Sequence, residues 1–156
     1  MMADFYFRYE SVLEQRRRTE RQRQRELAEV ESKRQSMHSQ LRQMQQTIDH
    51  SRGQMREQLV GKVDLTAIGA VSQYSAQVTF RGQQIVQELA QVERQVEAAR
   101  QRLQEATRQR KIMEQLKERE YDRWQWHQRR AERREQDELA NQQYVRLQRE
   151  PKEAGP

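Results

Sequence analysis

At 156 residues the chain has the length of one ordinary domain, yet 33% of it is hydrophobic, 35% is charged and the net charge is +6, against globular norms nearer ~45% and ~25%. That balance excludes a thick core, and the lack of cysteine excludes disulfides, thiolate metal sites and thiol catalysis. Five glycines and two prolines, Pro151 and Pro156, are all that interrupt a chain dominated by Gln, Arg and Glu; this predicts long helices that bury one narrow stripe.

The start, Met1-Met2-Ala3-Asp4, has no positive segment followed by an apolar one, so no signal peptide is expected and the chain reads as cytosolic. The first predicted helix covers about 4–60. Steps of three and four from Tyr6 run through Tyr9, Leu13, Arg16, Glu20, Arg23, Leu27, Val30, Arg34, Met37, Leu41, Met44, Ile48, Ser51 and Met55, a heptad seam that is clearest from Leu27 onward and that a disordered chain would lack. Interruptions then cluster at 61–69, from Gly61 to Gly69, where Asp64 or Thr66 is placed to cap a second helix. The weakly apolar stretch Leu65 to Val71 is far shorter than the roughly 20 residues of a membrane span.

The second predicted helix covers about 70–149, with its seam at Val78, Gly82, Ile85, Leu89, Val92, Val96, Ala99, Leu103, Ala106, Arg110, Met113, Lys117, Glu120, Trp124, His127 and Ala131. Folding back at the tip lays Ile48 on Ile85, Met44 on Leu89, Leu41 on Val92, Met37 on Val96, Val30 on Leu103 and Leu27 on Ala106, and brings Tyr9 to Trp124 and Tyr6 to His127. The fold class is therefore all-α: an antiparallel coiled-coil hairpin forming a single domain over 1–150, the second helix longer than the first. In this register Arg16 meets Lys117 and Arg23 meets Arg110, a weak zone relieved by snorkelling or by a stutter that uses Val12, Ile112 and Leu116. Past Ala131 the second helix overhangs until Pro151, and 150–156 reads as a disordered tail. An unpaired helix is marginal on its own, so the overhang is a candidate partner-binding element.

No motif carries catalysis. His38, His50 and His127 are scattered without acidic or thiol neighbours in a ligand pattern. The carboxylates sit at helical spacings, as Glu29 to Lys33, that stabilise a solvated face, and neither GxxxxGK[ST] nor GxGxxG occurs. No enzyme activity, cofactor or metal is expected. The basic runs Arg16-Arg17-Arg18, Arg129-Arg130 and Arg133-Arg134 are interleaved with acids, which suits a solvated coiled-coil face better than nucleic acid. Trp124 falls on the seam and Trp126 off it. Near the tip, Tyr74, Val78 and Phe80 are docking candidates, Phe80 lying off the seam.

Phe5-x-Phe7-Arg8-Tyr9-x-x-Val12-Leu13, then a long polar helix and a tip near residue 65, then Lys111-x-x-Glu114-x-Leu116-x-x-Arg119 and Asp137-Glu138-Leu139-Ala140, form an ordered layout that resembles the flagellar FliJ family, to which injectisome stalk proteins are related. The resemblance implies a cytoplasmic, peripheral component of flagellar type III protein export, at the inner face of the cell membrane. It would insert its helical ends into the export ATPase hexamer, touch the membrane-embedded export gate and escort substrate chaperones, so supporting flagellum assembly, motility and chemotaxis. On this reading Tyr6, Tyr9, Trp124, Trp126, Arg129, Arg130, Arg133, Arg134, Asp137, Glu138, Leu139 and Ala140 face the ATPase, and Tyr74, Val78 and Phe80 the gate. Two other classes stand beside it. A basic helical nucleic-acid binder demands a stripe unmatched by acids and a steep salt dependence; a purely structural coiled coil demands a seam without the break at 61–69.

Overall fold

The computed structural model describes residues 4–149; the expected tail 150–156 and the stop at Pro151 lie outside the described residues. Two helices make up the fold, α1 at Glu10–Gln58 and α2 at Leu65–Arg149, and no strand occurs among the described residues. The helices pack against each other as an all-α hairpin. Both run long because nothing in them opposes helix: no proline falls inside either span.

The ends are set by local hydrogen bonds. The Glu10 N–H donates to Phe7 O at 3.2 Å and that of Leu13 to Tyr9 O at 3.0 Å, and the Glu10 carboxylate complements the positive end of α1. At the far end the Leu59 N–H donates to Met55 O and the Val60 N–H to Glu57 O, both at 3.2 Å, a tightening common in last turns. Gly61 then turns the chain with φ of 96°, a conformation in which any Cβ is strained. Asp64 starts α2. Its Oδ1 accepts from the N–H groups of Thr66 at 2.9 Å and Ala67 at 3.3 Å, and its carbonyl from Ile68 N–H at 3.1 Å, so Asp64, not Thr66, is the cap. The break at 59–64 thus opens just before the expected interruption and closes inside it.

The chain divides into two compact units, one made of residues up to Gln15 with those from Gln109 onward, the other of Arg16–Arg108. In the Arg16–Arg108 unit the core is Met37, Ile85, Val92 and Val96, with Leu27, Val30, Leu41, Met44 and Leu89 packed against it. Both predicted seams supply these residues. Polar pairs flank them: Arg100 donates to Glu31 at 3.0 Å, Thr107 Oγ1 to Glu20 at 2.7 Å, and Arg34 stands 3.6 Å from Glu93. These pairs correct the expected register. Laying Met44 on Leu89 and Leu27 on Ala106 sets Glu20 against Met113 and Glu31 against Arg102, whereas the observed partners lie earlier in α2, by two residues at Arg100 and by six at Thr107 and at Glu93. Gly82 also lies beside Met44, close enough that a Cβ there would meet its sulfur at 3.8 Å.

The expected like-charge contacts dissolve in the same way. Arg23 donates to Glu26 at 2.7 Å within α1, and this guanidinium holds the Glu26 carboxyl below its ordinary 4.5. The small gain is present above that value and fades as pH falls through the lowered one. In the other unit Arg110 pairs with Glu114, and Lys117 donates to Glu10 at 2.6 Å while its Nζ lies 5.9 Å from the centre of the Phe7 ring. Leu13 and Phe7 are buried there; of the three residues of the expected stutter, Val12 and Leu116 are half-buried and Ile112 stays 53% exposed.

Exposed ion pairs contribute only about 0.2–1 kcal/mol each, so the buried aliphatics carry the pairing. Replacing Leu13, which has no exposed surface, by Ala is expected to cost about 2 kcal/mol, the low end for a core leucine because a thin two-helix seam relaxes around the gap. Urea denaturation followed by circular dichroism measures it, and a loss below about 0.5 kcal/mol, the size of an ordinary surface change, would contradict the packing role. Asp64→Ala is expected to cost about 1 kcal/mol through the lost cap, read in the same titration.

Candidate functional site

In the unit that holds residues up to Gln15 and from Gln109 onward, the chain ahead of α1 lays rings on one stretch of α2. Phe5 meets Tyr121 edge-on at 5.2 Å between ring centres and Trp124 at 5.9 Å, and Tyr121 stacks on Trp124 at 5.7 Å. Phe7 meets Tyr9 edge-on at 5.9 Å. Such ring pairs add about 0.5–1.5 kcal/mol each beyond area burial. Trp124 is half-buried, its expected place on the seam, but its partner is Phe5 where the sequence put Tyr9. Tyr6 is 82% exposed instead of meeting His127. The reason is local: α1 begins only at Glu10, so residues 4–9 do not follow helical spacing and Phe5 and Phe7, not Tyr6 and Tyr9, turn inward.

Beyond Trp124, α2 continues as helix, and every side chain from Arg129 to Gln148 is exposed. Charge is sorted around this extension. At 100° per residue, Arg129, Arg130, Arg133 and Arg134 share one face with Trp126, while Glu132, Glu135 and Glu138 fall on the other; Asp137 alone crosses to the arginine side. Trp126, Arg129, Arg130 and Arg133 line a shallow depression, with the Arg130 guanidinium 5.0 Å from the Trp126 ring centre and Arg129 donating to Gln125 at 3.0 Å. His127 stands edge-on to Trp126 at 5.0 Å. Asp137, Glu138, Leu139 and Ala140 are all open to solvent. A cation and an aromatic ring held face to face on a bare helix suit an anionic partner surface.

In the Arg16–Arg108 unit, Tyr74 and Phe80 are 53% and 63% exposed, and Val78 is half-buried. Val78 lines a groove of about 470 Å³ with Leu41, Met44, Ile48, Gly82 and Val86, while Tyr74 and Phe80 are not among its lining residues. Among the described residues no cluster of three or more His, Cys, Asp or Glu side chains is arranged to hold a metal ion, and no helix is long and apolar enough to cross a membrane.

Comparison with protein-family models matches residues 5–149 to the family described as Flagellar FliJ protein. The chain belongs to the FliJ family. Membership makes it a component of flagellar type III protein export. Neither a curated protein nor a solved structure matches the chain.

Sequence reasoning missed Phe5, Phe7 and Lys117 in the aromatic end of this FliJ-family chain. A signal existed for the first two: Phe5-x-Phe7 alternates, as an extended segment laid against a helix would. In a Trp126→Phe background, Phe5→Ala is expected to shift Trp124 fluorescence to longer wavelength by exposing its ring, and Tyr6→Ala to leave it in place. The reverse pattern would restore the Tyr6 assignment.

Proposed function

We propose that this chain is an export stalk whose bare C-terminal extension engages the export ATPase hexamer. The observation that carries the reading is the run from Arg129 to Gln148, helical with every side chain exposed. An isolated helix gains too little from hydrogen bonds alone to be held firmly in water, and one that leaves the seam with arginines and glutamates on opposite faces presents a surface for another molecule. The aromatic end around Phe5, Tyr121 and Trp124 anchors that extension, and Tyr6 and Tyr9 stand exposed beside it. Asp137, Glu138, Leu139 and Ala140 extend the same contact.

On this reading the stretch of α2 that carries Tyr74, Val78 and Phe80 meets the export gate, and the helical surface escorts substrate chaperones. The protein then works at the inner face of the cell membrane, and flagellum assembly, motility and chemotaxis depend on it. A charged, shallow surface suits such work, because many weak polar contacts break and reform more readily than one deep apolar contact.

The decisive assay titrates the cognate export ATPase with the full chain and follows ATP hydrolysis. Stimulation is expected, and truncation after Ala131 is expected to abolish it. Arg129→Glu with Arg133→Glu is expected to raise the concentration for half-maximal stimulation at least about tenfold, a change of ~1.4 kcal/mol. Stimulation curves unchanged by both variants would overturn the assignment of the extension.

A further inference from the structure

The turn between α1 and α2 is unusually apolar for a solvent-facing loop. Leu59, Val60, Val63 and Leu65 fall within seven residues and are 61%, 82%, 47% and 79% exposed. Loop tips ordinarily carry small polar residues, and contiguous exposed aliphatics mark contact surfaces. None of the four belongs to the groove around Met44 or to the extension proposed to meet the ATPase.

The backbone on either side of the apex is hydrogen-bonded, which suits a shallow contact with the hydrated headgroup layer. A polar group that enters an apolar phase without a partner is costly. Here the N–H groups of Leu59 and Val60 are already taken by Met55 O and Glu57 O. Those of Thr66 and Ala67 are taken by the Asp64 carboxylate and that of Ile68 by Asp64 O. Lys62 stands exposed between Val60 and Val63, and Arg52 and Arg56 stand exposed behind the tip; with the exposed acids Glu57 and Asp64 these leave an excess of one cation. Exposed aliphatic residues with a cationic excess suit the surface of an anionic bilayer, acyl chains within and phosphates above. A protein pocket would more commonly draw on Trp, Tyr or Arg as its anchor, and the segment from Gln58 to Leu65 contains none. Gly61 lets the chain reverse at the apex, where a Cβ would meet no neighbouring atom within 4 Å, so the tip can enter as a narrow wedge.

We propose that the inter-helix tip, through Leu59, Val60, Val63 and Leu65 with Lys62, docks shallowly into an anionic lipid surface. The test is co-sedimentation of the full chain with vesicles of phosphatidylglycerol and phosphatidylethanolamine, and with vesicles of phosphatidylcholine alone. Binding to the anionic vesicles is expected, at least about tenfold weaker for Val60→Asp with Leu65→Asp and weakened several-fold by Lys62→Glu. Both substitutions fall on exposed side chains, and unchanged helicity by circular dichroism confirms that the fold persists. Loss of binding with salt in the native chain but no effect of Val60→Asp with Leu65→Asp would show basic helix faces to be responsible and would overturn the proposal. Absence of vesicle binding, with the same variant nevertheless impairing export in cells, would assign the tip to a protein pocket and overturn it equally.

Discussion

Everything in this fold depends on one constraint: a chain with 33% hydrophobic residues can cover its apolar surface only by laying one helical stripe on another. Neither helix has apolar side chains to spare for a second layer, so Met37, Leu41 and Met44 of α1 pack with Ile85, Leu89, Val92 and Val96 of α2 and most of the remaining surface of each helix meets water. The consequence for function is direct. Most of what is open to a partner is surface: sorted charge, exposed rings and an apolar turn.

How much of this was legible in the sequence depends on which physical signal encodes each part. Helix, break and seam membership are written in local spacing, and the apolar residues at steps of three and four from Leu27 to Met44 are those that pack in the core. Register is written elsewhere. A heptad stripe slid by one heptad past its partner still sets apolar against apolar, so the pattern alone cannot choose between alignments. The choice falls to the short turn closed by Gly61 and Asp64 and to the flanking pairs Glu31 with Arg100, Arg34 with Glu93 and Glu20 with Thr107. Each pair is weak, but its partners meet in one alignment and miss in the next, which is the usual way polar groups select among apolar near-equivalents.

The aromatic end failed to read for a different reason. Heptad spacing was carried through Tyr6 and Tyr9 although α1 begins at Glu10, and outside the helix the period of 3.5 has no meaning. There the alternation of Phe5 and Phe7 governs, Phe5 joining the rings of Tyr121 and Trp124 and Phe7 meeting Tyr9. The seam's weak zone followed from the same misplaced register: Lys117 has Glu10 as its partner, so the predicted collision of cations never arises.

The charge sorting on the extension and the plain helix around it are two answers to one requirement. A helix in water tolerates charges best when opposite signs stand three or four residues apart on the same side, where they screen each other. Between Arg129 and Glu138 that spacing joins Arg129 to Glu132, Arg133 to Asp137, and Arg134 to Asp137 and Glu138, while Arg129, Arg130 and Arg133 gather beside Trp126 and Glu135 has no arginine three or four residues away. Such an arrangement gives the isolated helix less than fully mixed faces would and gains further when an anionic surface arrives to meet the arginines. The extension is thus locally suboptimal in a way that a partner corrects, which is the form that a functional surface takes in a chain with no interior to build a site from.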